Sequence, residues 1–114
     1  MASIRAIILH RQDNVATVIE DGKSGDDVAS RSFDGQVLVA PVRLLEDIAF
    51  GHKVALFPIN RGDAIVKYGE VIGQATTSIE PGAHVHVHNV EGRRLQEARD
   101  VPFDHTTKLA PPSR

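Results

Sequence analysis

No apolar run in this chain continues for more than a few residues before a glycine, a proline or a polar turn pair interrupts it. Helices that pack need a periodic pattern over roughly ten residues or more, whereas strands need only about four to eight. The punctuation therefore predicts an all-β domain of short strands. "IRAIILH" (4–10) and "NVATVIE" (14–20) are β-branched-rich runs separated by Arg11, Gln12 and Asp13, which reads as a hairpin. "DGKSGDD" (21–27) is polar and glycine-rich, a loop by composition. "GQVLVAP" (35–41) and "HKVALFPI" (52–59) read as strands that stop at prolines, with a turn at 60–63. In "AIVKYGEVIGQAT" (64–76), Gly69 and Gly73 mark a bulge or a sharp bend. The exception is "RLLEDIAFG" (43–51), which fits one or two helical turns closed by Gly51. The expected sum is about six or seven strands and one short helix.

At 114 residues the length suits one domain with a modest core. Thirteen Lys and Arg against 15 Asp and Glu leave a net charge of −2, with no concentrated basic patch, so nucleic acid is not an expected partner. Four Phe and one Tyr are too few for a base-stacking platform. The absence of cysteine excludes disulfides, thiolate metal sites and thiol catalysis. The apolar run at 6–9 is too short for a signal-peptide core or a membrane span, so the chain reads as cytoplasmic with no membrane partner.

Three of the six histidines fall at alternate positions in "GAHVHVHN" (82–89). In a strand His84, His86 and His88 would share one face and Val85 and Val87 the other, with the valines in the core. Same-face neighbours lie about 6.6 Å apart, so two of these imidazoles reach one metal ion more readily than three, which would span about 13 Å. Neutral imidazole is a good ligand for divalent zinc or iron. A merely solvated histidine face is an equal alternative on spacing alone.

Three blocks in fixed order are more specific: "DNVATVIED" (13–21), "GHKVALFPINRGDAIVKYGEVIGQAT" (51–76) and "IEPGAHVHVHNV" (79–90). Together they resemble the N-terminal SAF domain of the altronate and galactarate dehydratase family, a module similar to the small subunit of two-component members such as sulfolactate sulfo-lyase. The resemblance implies an SAF-type β-clip over residues 1–90. Residues 91–114, with a charged, weakly helical start and a proline-containing tail, form a C-terminal extension that would dock on a large subunit.

The resemblance also implies elimination of water, or of sulfite, from a sugar acid or hydroxy acid, with a divalent metal, commonly ferrous iron. His86, His88 and Asn89 match the family's H-x-H-N ending, His52 and Lys53 its G-H-K, and Lys67 its K-Y-G. On that basis His86 and His88 are the catalytic candidates, and these two with the lower-ranked His84 are the metal candidates. Asn89, His52, Lys53 and Lys67 are the substrate-binding candidates, although lysines such as Lys53 and Lys67 are more often solvated on a surface. Gly51, Gly69, Gly73 and Gly82 shape the backbone, and His10 and His105 receive no role. A chain this small is expected to complete an active site with a large catalytic partner, and a homo-oligomer is compatible with the sequence. The competing readings are a non-catalytic metal- or ligand-binding domain and a purely structural subunit.

Overall fold

The computed structural model describes residues 2–92. The expected docking extension and its weakly helical start therefore lie, from residue 93 onward, outside the described residues.

Nine strands form among the described residues: β1 (Ser3–Ile7), β2 (Val15–Val18), β3 (Asp27–Arg31), β4 (Val42–Arg43), β5 (Lys53–Ala55), β6 (Ala64–Lys67), β7 (Glu70–Ala75), β8 (His84–Val85) and β9 (Val90–Gly92). They make a six-stranded sheet in the order β4-β3-β1-β2-β5-β8 and a three-stranded sheet in the order β6-β7-β9. Only β1 and β3 run parallel; the remaining neighbours are antiparallel. The all-β expectation holds, and the hairpin between 4–10 and 14–20 is present as β1 and β2.

Three local expectations fail. The segment 43–51 is not helical, and there is no helix among the described residues, hence none long and apolar enough to cross a membrane. Leu44 and Ile48 have helical spacing, but both are buried and bond to the loop before β3: Leu44 N–H donates to Asp26 O and Ile48 N–H to Gly22 O. The segment 35–41 makes a single bridge, Val37 to Arg31, rather than a strand. The strand lies instead at β3, which begins at Asp27, the last residue of the expected loop.

Two hydrophobic cores share the central strands. Ile4, Ile8, Val18, Val28, Ile48 and Val54 belong to the larger one; Val15, Ala55, Ile59, Ile65, Ile79 and Val85 belong to the smaller. Consecutive residues of β2, Val15 and Ala16, are thus buried on opposite faces, as are Val54 and Ala55 of β5. A strand buried on both faces loses the polar alternation of a half-exposed one.

Asp13 and Asn14 fasten the small sheet to the large one. The fully buried Asp13 carboxylate accepts the N–H groups of Leu9 and His10 on Oδ2 and that of Gly69 on Oδ1 at 2.7 Å. Asn14 pairs with β6 through its backbone and also through its amide, whose Oδ1 accepts Val66 N–H while Nδ2 donates to Ala64 O. Tyr68 (φ 56°) and Gly69 (φ 81°) form the turn that presents the Gly69 N–H, so Gly69 is the bend expected from the sequence.

Removing an acceptor from a buried N–H costs roughly 1–3 kcal/mol. Asp13→Ala removes the acceptor of three N–H groups on residues that reach the surface, where water replaces part of the loss, so unfolding free energy is expected to fall by roughly 1–3 kcal/mol. Urea denaturation of the variant against wild type measures it.

Candidate functional site

The histidine stretch is held from both ends. At its start, Gly82 adopts φ 89°, and a Cβ there would lie 2.0 Å from Arg43 O, so only glycine fits. Its N–H donates to Ala55 O and its carbonyl accepts Leu45 N–H. β8 then pairs with β5, opposing His84 to Val54 and Val85 to Lys53. Glu46 accepts the His84 N–H at 2.9 Å.

The strand ends after Val85, and the chain turns through residues 86–89. This corrects the expectation of one continuous histidine strand. The cause is Asn89, which is buried, with Oδ1 accepting His86 N–H and Nδ2 donating to His84 O, each at 2.9 Å. An asparagine that bonds nearby backbone offers the chain an alternative to a ladder. Val85 is in the core as expected, but Val87, expected beside it, is 81% exposed at the turn.

The turn compresses the histidines instead of stringing them out. The His84 ring centroid lies 5.3 Å from that of His86 and 5.2 Å from that of His88. His52, just before β5, completes the group, stacked on His86 at 4.1 Å and on His84 at 5.0 Å. Nδ1 of His52 and Nε2 of His84 share a hydrogen bond of 2.8 Å. The backbone of His52 is fixed by its carbonyl, which accepts Val18 N–H, and by its own N–H, which donates to Ala49 O. An open depression of about 430 Å3 lies alongside, lined by Asp21, Lys23, Asp47, Ile48, His52 and His84 among others.

Burial, followed by the neighbouring His52 and His88, lowers the pKa of His84 below the ordinary histidine value, and Glu46 partly opposes this. His86 is lowered too, by desolvation and then by His52 and Lys53. Lys53 is half-buried in β5; burial first and the Lys67 charge second lower its pKa. Lys67 lies over the Tyr68 ring, 5.0 Å from its centroid. The Tyr68 hydroxyl bonds Thr17 Oγ1 at 3.3 Å, and Thr17 opposes Lys53 in the sheet. Neither lysine joins an ion pair among the described residues.

Of the residues singled out from sequence, His52, His84, His86 and His88 thus form one cluster; the Lys53 charge is felt by His86, and the Lys67 charge by Lys53. Asn89 sits beneath the turn with its amide committed to backbone. Glu46 was missed because its segment reads as helical, and Asp13 because an Asp-Asn pair reads as an ordinary turn.

Residues 4–93 match the family model of the altronate/galactarate dehydratase SAF domain. The chain is 38% identical over 85 residues to altronate dehydratase of Bacillus subtilis (strain 168), covering 75% of this chain and 16% of that enzyme. It is 48% identical over 48 residues to (2R)-sulfolactate sulfo-lyase subunit alpha of Paracoccus pantotrophus, covering 42% of this chain and 72% of the subunit. With the same subunit from Chromohalobacter salexigens it shares 29% over 92 residues, 98% of that protein's length. The chain thus spans about a sixth of the dehydratase it matches.

His84 and His86 bind protons less well folded than unfolded. By linkage, the stability they contribute is fully present above about pH 6.5 and is lost as pH falls through their lowered folded values. Urea midpoints are expected to fall between pH 7 and 5, and to fall less in a His84→Asn/His86→Asn double variant. NMR titration should place both rings below the ordinary histidine midpoint.

Proposed function

The chain belongs to the altronate/galactarate dehydratase SAF-domain family, and from that membership we propose that it is the small module of a lyase acting on sugar acids. It would lend one wall to an active site completed by a larger catalytic partner, and a homo-oligomer of such pairs fits this reading. The observation that carries it is the convergence of four imidazoles, drawn from segments 32 residues apart, with Lys53 close enough to lower the proton affinity of His86.

The chemistry of elimination asks for such a face. Taking a proton from the carbon beside a carboxylate makes an enolate-like dianion, which is costly unless cations meet it. Lys53 and Lys67 would pair with the substrate carboxylate as point charges. His86 and His88 have the right chemistry to hand a proton to the departing β-hydroxyl, and His88 is exposed to do so. Asn89 acts here as a positioning residue that holds the turn in shape.

A divalent metal, ferrous iron by family resemblance, suits the donor set, because His52, His84 and His86 offer three imidazole nitrogens within 4.8 Å of one another. When bound, the metal would supply Lewis-acid stabilisation of developing negative charge. The likeness across 98% of one sulfo-lyase subunit supports sulfite as an alternative leaving group.

Co-expression with a candidate large subunit tests the reading. The complex is assayed for elimination from altronate, galactarate and sulfolactate, with and without His86→Ala and His88→Ala. Activity should require both chains and fall about 100-fold or more in the variants, the scale of lost acid–base catalysis. A stable complex with fully active variants would leave this chain as scaffold. Metal binding without a partner or activity would make it a binding domain.

A further inference from the structure

The sequence points to His84, His86 and His88 as a ligand set because they alternate. The folded chain groups the rings differently. The ring nitrogens of His52, His84 and His86 all lie within 4.8 Å of one another, and His88 does not join them. His88 meets the cluster through His84 alone, with its ring tilted by 39°.

Two nitrogens bound to one ion at about 2.1 Å, on adjacent octahedral positions, are roughly 3 Å apart. Nδ1 of His52 and Nε2 of His84 are already 2.8 Å apart. The third nitrogen needs a movement of at most about two ångströms, within reach of side-chain rotation at His86. The backbone beneath is fixed at each position: His52 on Val18 and Ala49, His84 on β5 and Glu46, His86 on Asn89. Donors on such a frame are preorganised, and little ordering remains to oppose binding.

We propose that His52, His84 and His86 form a self-contained site for one divalent first-row transition-metal ion, with His88 outside the ligand set. An all-imidazole set favours zinc, iron, cobalt, nickel or copper over magnesium or calcium, which take oxygen ligands. The depression lined by His52 and His84 gives an exogenous oxygen ligand access to the remaining coordination positions. Three protein ligands with an open position is the arrangement of catalytic rather than closed structural sites. The inference deepens the preceding reading by naming its metal ligands, but it requires neither the reaction nor a partner chain.

The test uses the full, tag-free chain titrated with Co2+, followed by calorimetry and by visible absorption. One ion per chain is expected. Loss of an outer hydrogen-bond partner typically weakens metal binding about 10–100-fold, so removing a ligand in His52→Ala or His84→Ala should exceed about 100-fold. His88→Ala should stay near wild type. Urea midpoints verify that each variant folds. Should His52→Ala fail to fold, paramagnetically shifted imidazole N–H resonances of the wild-type Co2+ form identify the ligands directly. No binding, or binding lost in His88→Ala and kept in His52→Ala, overturns the proposal. Binding as expected in an assembled complex that stays inactive would overturn the lyase reading and leave this site standing. Histidine-dependent activity without Co2+ binding would do the reverse.

Discussion

The arrangement rests on a pair of strands buried on both faces. β2 and β5 lie side by side in the large sheet and feed both cores, with Val18 and Val54 on one side and Val15 and Ala55 on the other. Such a pair can serve two cores only if something holds the second sheet against its far face. Asn14, immediately before β2, does so by behaving like an additional strand residue towards β6. Asp13 adds a buried carboxylate that ties the turn at Gly69 to the loop after β1. Two adjacent polar residues therefore set the relation between the sheets, where hydrophobic contact alone has no directional preference.

The histidine cluster inherits its geometry from this frame. β8 is only two residues long, and a slip of one position would send His84 to the opposite face. Several contacts oppose that slip. Gly82 is wedged against Arg43 O, Glu46 holds the His84 amide, and Asn89 spans His84 and His86. None of these residues needs to touch a ligand to matter. His52 enters from the β5 side, so the register of β5 on β8 brings segments distant in sequence into ring-to-ring contact.

This explains what was legible in the sequence. Interrupted apolar runs give short strands directly: β2 and β5 fall inside their expected runs, and β1 starts one residue before its own. In the segment 43–51, expected as helical turns closed by Gly51, Leu44 and Ile48 have a spacing that a loop draped over a core reproduces when two of its apolar residues point inward. β3 was missed because a polar, glycine-rich stretch runs straight into it, and its pairing partner β1 is remote in sequence. Within "HVHVHN" the alternation was visible, but its end was not: a strand periodicity says nothing of an asparagine that captures the backbone. That the glycine-flanked His52 meets this turn depends on long-range pairing, which no local pattern encodes.

The electrostatics of the face follow from the same packing. Burial and mutual repulsion lower the proton affinity of His84, His86 and Lys53. These groups are thus harder to protonate than their composition suggests. An anion or a metal ion would relieve different parts of this arrangement. An anion beside Lys53 and Lys67 screens their repulsion and favours the charged amines, whereas a metal needs the imidazoles neutral. In the β5–β8 register Lys53 opposes Val85 and His84 opposes Val54, so Lys53 and His84 leave opposite faces of the sheet and the two demands are separated in space.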